Sequence, residues 1–199
     1  MRISATEQQA FAGALVVCAL QALAPLPPWL EYRHELLGAQ PWRVFSAHFV
    51  HLNWEHAVVN VAAWIMVARL FSTELTSGRH LAVIAVSALG VSAWLAWIHP
   101  EIAWYRGLSG VLHGIFFAGA IAWTIAAMRL ADKDKTSLFL PIALIAVGWA
   151  KVIAEQPAGS AMPYAEWLDA AIVPQAHLAG SIIGTALGAM IALPARPAQ

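Results

Sequence analysis

Two polar residues in apolar stretches of this 199-residue chain could act together as a nucleophile and a base. Ser109 lies in the Gly-Leu-Ser-Gly sequence at 107–110, and His177 lies near the start of a second apolar stretch. Polar groups inside a membrane are costly, so they usually face the protein interior and serve function. A serine that attacks a carbonyl carbon and a histidine that takes its proton are the central parts of a serine hydrolase. The pair therefore predicts hydrolytic chemistry within a membrane.

The residues around Ser109 suit a site that stabilises negative charge. Gly107 and Gly110 flank the serine and would let a substrate backbone approach without a side chain in the way. If Ser109 begins a helix, the free N–H groups and the positive end of the helix dipole face a developing oxyanion. Taken alone, the same pattern is more typical of a small-residue contact between membrane helices.

Glycine spacing gives a reason for the two stretches to meet. Glycine recurs at every fourth position in both of them, at Gly110 and Gly114 and at Gly180, Gly184 and Gly188. Such faces let two membrane helices approach until their backbones nearly touch. We therefore expect Ser109 and His177 to lie within hydrogen-bonding reach at the same end of two packed helices.

Further polar residues could complete the site. His113 is one helical turn beyond the serine, and we expect it to pack against or hydrogen-bond the histidine base and so fix its tautomer. His56 and Asn60 share one face of another apolar segment and can donate hydrogen bonds to an oxyanion. His51 precedes that segment and is expected to tie down the loop before it.

The sequence offers no obvious acidic third member. Asp169 precedes His177 by eight residues with Pro174 between them, so we expect it to lie in a loop. A dyad suffices in principle, because a neutral histidine can accept the serine proton without a carboxylate behind it.

Composition indicates the protein class. Hydrophobic residues make up 60% of the chain and charged residues 11%, against about 25% charged in globular domains. Eleven Lys+Arg balance eleven Asp+Glu, which removes the electrostatic case for a nucleic-acid partner. The single cysteine, Cys18, cannot form an internal disulfide. The chain is therefore expected to be a membrane protein in contact with lipid.

Six apolar segments come near the ~20 residues that a bilayer helix requires. They lie at 9–29, 54–72, 80–98, 108–128, 138–154 and 173–193. The first could instead be a cleaved signal peptide, since Ala22-Leu23-Ala24 resembles a cleavage site. We expect it to be retained, because its amino-terminal flank offers only Arg2 and carries Glu7. The prediction is an all-α bundle of six transmembrane helices in one domain, residues 1–199.

Loop charges predict the orientation. With the N-terminus in the cytoplasm, seven Lys and Arg residues fall on the cytoplasmic side and four on the other. Both termini are then cytoplasmic, and His56, Ser109 and His177 share one depth near the outer face. The segment at 138–154 is short for a bilayer span, so we expect Lys151 to reach the outer interface. With a hinge-like loop at 156–160, this segment is predicted to form a moving gate for substrate.

These residues, in this order, resemble the rhomboid family of intramembrane serine proteases. The match comprises Trp42-Arg43, His51-x4-His56-x3-Asn60, Gly107-Leu108-Ser109-Gly110 and Ala176-His177-x2-Gly180-x3-Gly184. The resemblance implies that Ser109 is the nucleophile and His177 the general base. It also implies that His56 and Asn60 complete the oxyanion hole. In addition, it implies a half-submerged loop at about 30–53 between the first two helices, and a reaction that uses no metal or cofactor.

A narrower resemblance is to the rhombosortase subgroup. This resemblance lies in the residues at 104–114 and in the His-Leu-Asn-Trp sequence at 51–54. His113 departs from most other rhomboids, in which a tyrosine often occupies this position. This resemblance implies substrates with a C-terminal tail of a Gly-Gly motif, one transmembrane helix and a basic cluster, processed at the bacterial inner membrane with the site open to the periplasm.

Three alternatives stay open. A rhomboid protease could act on another class of membrane-anchored substrate, and a rhomboid-like protein could bind membrane segments without cutting them. Eight histidines also raise the possibility of a metal or haem membrane protein. His48, His51 and His56 lack a partner at regular ligand spacing on another segment, which disfavours that class.

Overall fold

The computed structural model describes residues 3–23, 27–129, 135–158 and 172–193, and it is mostly helical. The α-helices are α1 (Ala5–Ala22), α2 (Pro27–Leu30), α3 (Arg43–Ser46), α4 (Trp54–Leu70), α5 (Ser77–Trp97), α6 (Ser109–Met128), α7 (Phe139–Ala158) and α8 (Pro174–Ala192). Two short strands, β1 (Tyr32–Arg33) and β2 (Trp104–Tyr105), pair antiparallel. Single 3-10 turns cover His34–Leu36, Ala47–Phe49 and Lys135–Leu138.

Capping residues set where α1 and α4 begin. Ser4 accepts a hydrogen bond from the Glu7 N–H, and the Glu7 carboxylate accepts one from the Ser4 N–H. This capping box starts α1 at Ala5, four residues before the predicted start, because it satisfies free N–H groups of the first turn. Asn53 caps α4 in a similar way, through a side-chain hydrogen bond from the His56 N–H.

Helix α7 is longer than predicted. It has 20 residues and ends at Ala158, whereas the apolar segment was expected to end at 154. The expectation that this span is short is therefore wrong, because the helix continues through Glu155 and Gln156 after the apolar run has ended. The first three residues of the proposed hinge loop are helical, and residues 159–160 lie outside the described part of the chain.

The closest helix pair is α6 and α8. A Cβ built at Gly180 would collide with the Gly110 carbonyl oxygen, and one at Gly184 would collide with the Gly114 carbonyl oxygen. At Gly188 it would lie 2.6 Å from the Ala118 oxygen. The two backbones are thus in direct contact along the predicted glycine faces. Helix α6 is buried on several sides, since α4, α5 and α7 also pack against it.

The segment between α1 and α4 is held to the residues before α6. Tyr32 pairs with Tyr105 in the two-stranded sheet, and Arg106 forms an ion pair of 2.5 Å with the buried Glu31. Arg43 is itself buried and donates hydrogen bonds to the carbonyls of Pro28 and Glu31. The loop therefore has an ordered interior built on a buried cation. Its predicted half-submerged position in the membrane stays a prediction.

Four helices within the described residues are long and apolar enough to cross a membrane. They are Ser77–Trp97, Ser109–Met128, Thr136–Gln156 and Pro174–Ala192. Helices α1 and α4 have 18 and 17 residues and carry more polar groups, among them Glu7, Glu55 and His56. The prediction of six spans is thus supported for four, and the full count stays a prediction.

Candidate active site

Ser109 and His177 lie together at the ends of two packed helices. Ser109 is the first residue of α6 and His177 is the fourth residue of α8. The Ser109 Oγ and the His177 Nε2 are 2.9 Å apart. The glycine contacts one and two turns further along α8 hold the two backbones at this separation. A serine hydroxyl can therefore donate its proton directly to an imidazole nitrogen.

His113 stacks on the imidazole of His177. The ring centroids are 4.3 Å apart and the planes differ by 17°. The His113 Nδ1 lies 2.8 Å from the Ser109 carbonyl oxygen, which requires the proton on Nδ1 because a carbonyl only accepts. The ring therefore packs against His177 and bonds elsewhere, and it leaves both nitrogens of His177 free for other partners.

The second nitrogen of His177 meets a carboxylate that the sequence analysis missed. The His177 Nδ1 lies 2.8 Å from the Glu155 Oε2, and Glu155 is fully buried. Glu155 is 22 residues away on α7, just beyond the predicted end of that segment. The expectation that no acidic residue is well placed is therefore wrong. Asp169 lies outside the described residues.

Lys151 completes this cluster from the same helix as Glu155. Its Nζ lies 2.5 Å from the Glu155 Oε1 and 3.3 Å from the His113 Nε2. The ammonium group points into the cluster while the side chain is 48% exposed. The expectation that Lys151 reaches the outer interface stays a prediction. A charged pair at i and i+4 in an apolar segment was the sequence signal that could have identified both residues.

The amino terminus of α6 provides donors beside the serine. The helix starts at Ser109 without a side-chain cap, so N–H groups of its first turn have no partner within the helix. His56 lies on the other side, where a Cβ at Gly107 would come within 2.8 Å of its Cε1 atom. Gly107 has a φ of 126°, which strongly favours glycine. The first turn of α6 and the His56 ring thus both border the cavity at the serine.

Asn60 and His51 have other contacts. The Asn60 Nδ2 donates to the His56 carbonyl oxygen at 2.8 Å, so its amide bonds within α4 rather than towards Ser109. His51 is buried, and its Nε2 accepts a long hydrogen bond of 3.4 Å from the Leu108 N–H. His51 therefore bonds to Leu108, the residue before the serine. It was expected instead to tie down the loop that precedes α4. Its ring also lies edge-on to His56, with centroids 4.9 Å apart.

Tyr105 holds the turn that leads into Ser109. It is buried, and its hydroxyl donates a hydrogen bond of 2.5 Å to the Gly107 carbonyl. Burial raises the pKa of Tyr105 to about 12, so the hydroxyl keeps its proton and remains a donor. The Gly107 N–H donates to the Ala47 carbonyl at 3.0 Å. The turn is thus fixed through both its carbonyl and its N–H.

An apolar cavity of about 580 Å³ leads to these groups. Residues of α4, α6 and α7 form most of its wall, among them Val59, Ala63, Leu112, Leu144 and Val147. Its polar end contains His56, Asn60, Ser109, His113, Lys151 and His177. An extended apolar segment could thus lie between α4 and α7 with a peptide bond next to the Ser109 hydroxyl.

One group of side chains has the composition of a metal site. Ligand atoms of His113, Glu155 and His177 lie within 4.8 Å of one another. The Lys151 ammonium group already contacts both His113 and Glu155. A metal ion bound by these side chains would therefore compete with this ammonium group for two of its three ligands.

Comparison with known proteins relates this arrangement to a family. The family model described as "Rhomboid domain" matches residues 38–194. The chain is similar to proteins named rhomboid protease GlpG from Salmonella: it is 23% identical to that of Salmonella paratyphi A (strain ATCC 9150 / SARB42) and 24% identical to that of Salmonella choleraesuis (strain SC-B67). Each match covers 84% of this chain and 55% of the relative, so the chain spans about half the length of these relatives.

The family match covers most of the chain, including the segments that carry Ser109, His113, Glu155 and His177. Together with the four apolar helices, it identifies an integral membrane protein. These comparisons identify the family and do not separate the rhombosortase subgroup from other rhomboid proteases. The chain belongs to the rhomboid family.

Proposed function

We propose that this chain is an intramembrane serine endopeptidase that uses Ser109 as nucleophile and His177 as general base. The observation that carries the proposal is the 2.9 Å contact between the Ser109 Oγ and the His177 Nε2 at the polar end of an apolar cavity. The rhomboid protease relatives support the same activity.

The reaction follows from the positions of these groups. Ser109 attacks the scissile carbonyl carbon while its proton passes to the His177 Nε2. The oxyanion forms beside the free N–H groups of α6 and the His56 ring, which stabilise negative charge. His177 then protonates the leaving amine, and water hydrolyses the acyl-enzyme by the reverse sequence of proton transfers.

The proposed substrates are membrane-anchored proteins with a C-terminal Gly-Gly motif, one transmembrane helix and a basic cluster. A transmembrane helix keeps its peptide groups hydrogen-bonded, so a cleavage site must unwind before the serine can reach it. Glycine lowers the cost of unwinding by about 1 kcal/mol per residue relative to alanine. The apolar cavity walls suit the transmembrane segment that follows.

For location, we propose the bacterial inner membrane, with both termini in the cytoplasm and the site open to the periplasm. The support is the charge pattern. Arg129 directly follows α6, at the opposite end from Ser109, and Lys133 and Lys135 come next in the sequence. Positively charged loops favour the cytoplasm.

The test uses the purified full chain in liposomes and a substrate with the Gly-Gly, transmembrane and Arg-rich tail. We expect cleavage at the tail and labelling of the protein by a fluorophosphonate, both lost in Ser109→Ala and His177→Ala. Ser72→Ala is the matched control, because Ser72 is outside the cavity and, within the described residues, its hydroxyl bonds only the Arg69 carbonyl.

Three outcomes separate the alternatives. Normal cleavage by a folded Ser109→Ala protein would refute the nucleophile assignment. Cleavage of membrane substrates regardless of a Gly-Gly to Leu-Leu change would favour a rhomboid protease of other specificity. Substrate binding without cleavage or labelling in the wild-type protein would favour a membrane-segment binder.

A further inference from the structure

We propose that Glu155 is a positioning residue that fixes the tautomer of His177, so that the site is a Ser109–His177–Glu155 triad. The inference rests on the proposed protease function and extends it to a residue on a third helix. It is carried by the 2.8 Å contact between the Glu155 Oε2 and the His177 Nδ1.

Hydrogen-bonding rules allow one arrangement of protons. An ionised carboxylate only accepts hydrogen bonds, so the His177 Nδ1 must carry the proton in the contact with Glu155. The neutral ring then has its lone pair on Nε2, which is the atom 2.9 Å from the Ser109 Oγ. This is the tautomer that can accept the serine proton. The opposite tautomer, with the proton on Nε2, would place an N–H against the hydroxyl and block the transfer.

The surroundings of Glu155 favour its charged form. Glu155 is fully buried, and a buried carboxylate needs a partner to remain ionised. Lys151, one helical turn earlier, places its ammonium group 2.5 Å from the other oxygen, Oε1. Each carboxylate oxygen thus has its own partner. When His177 accepts the serine proton, the negative carboxylate stabilises the imidazolium that forms.

A purely structural role predicts something different. An ion pair between α7 and α8 could hold the helices together without affecting proton transfer, and its loss would lower stability and substrate affinity. A positioning role predicts a loss in kcat with little change in KM, because the substrate does not contact Glu155. The two roles therefore separate in kinetics.

The first experiment compares E155Q with wild type, using the full chain in liposomes and the tail substrate. Gln has the shape of Glu, but its amide N–H can bond to Nδ1 and favour the wrong tautomer. We expect kcat to fall about 10²–10⁴-fold with KM within about twofold, since the comparable Asp→Asn change in a serine-protease triad costs about 10⁴. E101Q is the matched control, because Glu101 is exposed and pairs with His99 outside the cavity.

The second comparison tests whether Glu155 acts through His177. E155Q added to His177→Ala should cause no further loss of residual activity, because residues that act as one unit are non-additive. E155D, which keeps the carboxylate, should recover part of the lost kcat. A kcat for E155Q within about threefold of wild type, or an independent further loss on His177→Ala, would overturn the proposal.

A spectroscopic measurement does not depend on the folding of E155Q. In protein labelled with ¹⁵N-histidine at neutral pH, the His177 signals, assigned by comparison with His177→Ala, should show a protonated Nδ1 and an unprotonated Nε2. The opposite tautomer would refute the positioning role. The protease proposal has a separate test, since loss of cleavage in Ser109→Ala would leave it standing even if Glu155 proved dispensable.

Discussion

The contact between α6 and α8 should control the distance between Ser109 and His177, and Gly184→Ala tests this. A Cβ at Gly184 would lie 2.9 Å from both the carbonyl carbon and the Cα of Gly114, whereas ordinary contacts of a Cβ begin near 3.4 Å. These neighbours are backbone atoms, which cannot rotate away. The two carbon contacts alone require the helices to separate by about 0.5 Å, and the Gly114 carbonyl oxygen, which lies closer still, requires more.

The separation should reach the reacting atoms two helical turns away. The distance between the Ser109 Oγ and the His177 Nε2 would grow from 2.9 Å to about 3.4 Å or more, beyond the usual hydrogen-bond range. Since a misplacement of 1 Å can cost about 10²-fold in rate, a misplacement of half that size or more should lower kcat at least about tenfold. KM should change little, because Gly184 is outside the cavity.

The assay is cleavage of the tail substrate in liposomes, with thermal unfolding to confirm a folded protein. Gly78→Ala is the matched control, since a Cβ at Gly78 meets no atom of the described residues within 4 Å. A folded Gly184→Ala protein with kcat within twofold of wild type would refute the view that backbone contact sets the catalytic distance.

Three further predictions concern neighbouring groups. His56→Ala and Asn60→Ala should be partial defects. His56→Ala should lower kcat about 10²–10³-fold because an oxyanion donor is lost, and Asn60→Ala should lower it less because the Asn60 amide bonds within α4. Equal and complete losses of activity would contradict this assignment. Acidification from pH 7 to 5 should lower the midpoint of thermal unfolding. Burial lowers the pKa of His48 to about 4 and of His51 to about 3, below the ordinary 6.5, so the unfolded chain binds more protons than the folded one. A His51→Asn variant whose midpoint depends on pH as steeply as wild type would argue against this prediction. Cysteine cross-links between α4 and α7 across the cavity should block cleavage of a membrane substrate, and unchanged turnover would place substrate entry elsewhere.

Much of the site could be predicted because its main signals are periodic or local. The four-residue glycine spacing predicted the contact of α6 and α8, and that contact brings Ser109 to His177. The starts of α6 and α8 came within one residue of the predicted ones, since apolar runs define them. The contact of α6 with α8 and the starts of both helices can thus be predicted from local sequence.

Local sequence could draw attention to Glu155 through its i, i+4 pair with Lys151, but it could not predict the contact between Glu155 and His177. His177 is 22 residues distant, and their contact depends on how α7 packs against α8, which no local pattern encodes. Hydropathy ended the predicted segment at 154, one residue before this carboxylate. The first helix was misplaced for a related reason: the capping box of Ser4 and Glu7 is polar and contributes nothing to an apolar run.

The connections that build the site have consequences for the timing of its assembly during synthesis. Arg106 reaches back 75 residues to Glu31, and His177 is 68 residues beyond Ser109 in the last helix. A nascent chain that has inserted α1 to α6 therefore contains the proposed nucleophile but neither the proposed base nor the carboxylate behind that base. If the proposed mechanism holds, proteolytic competence arises only after α7 and α8 have entered the membrane, so an unfinished chain would not cut its neighbours during biogenesis.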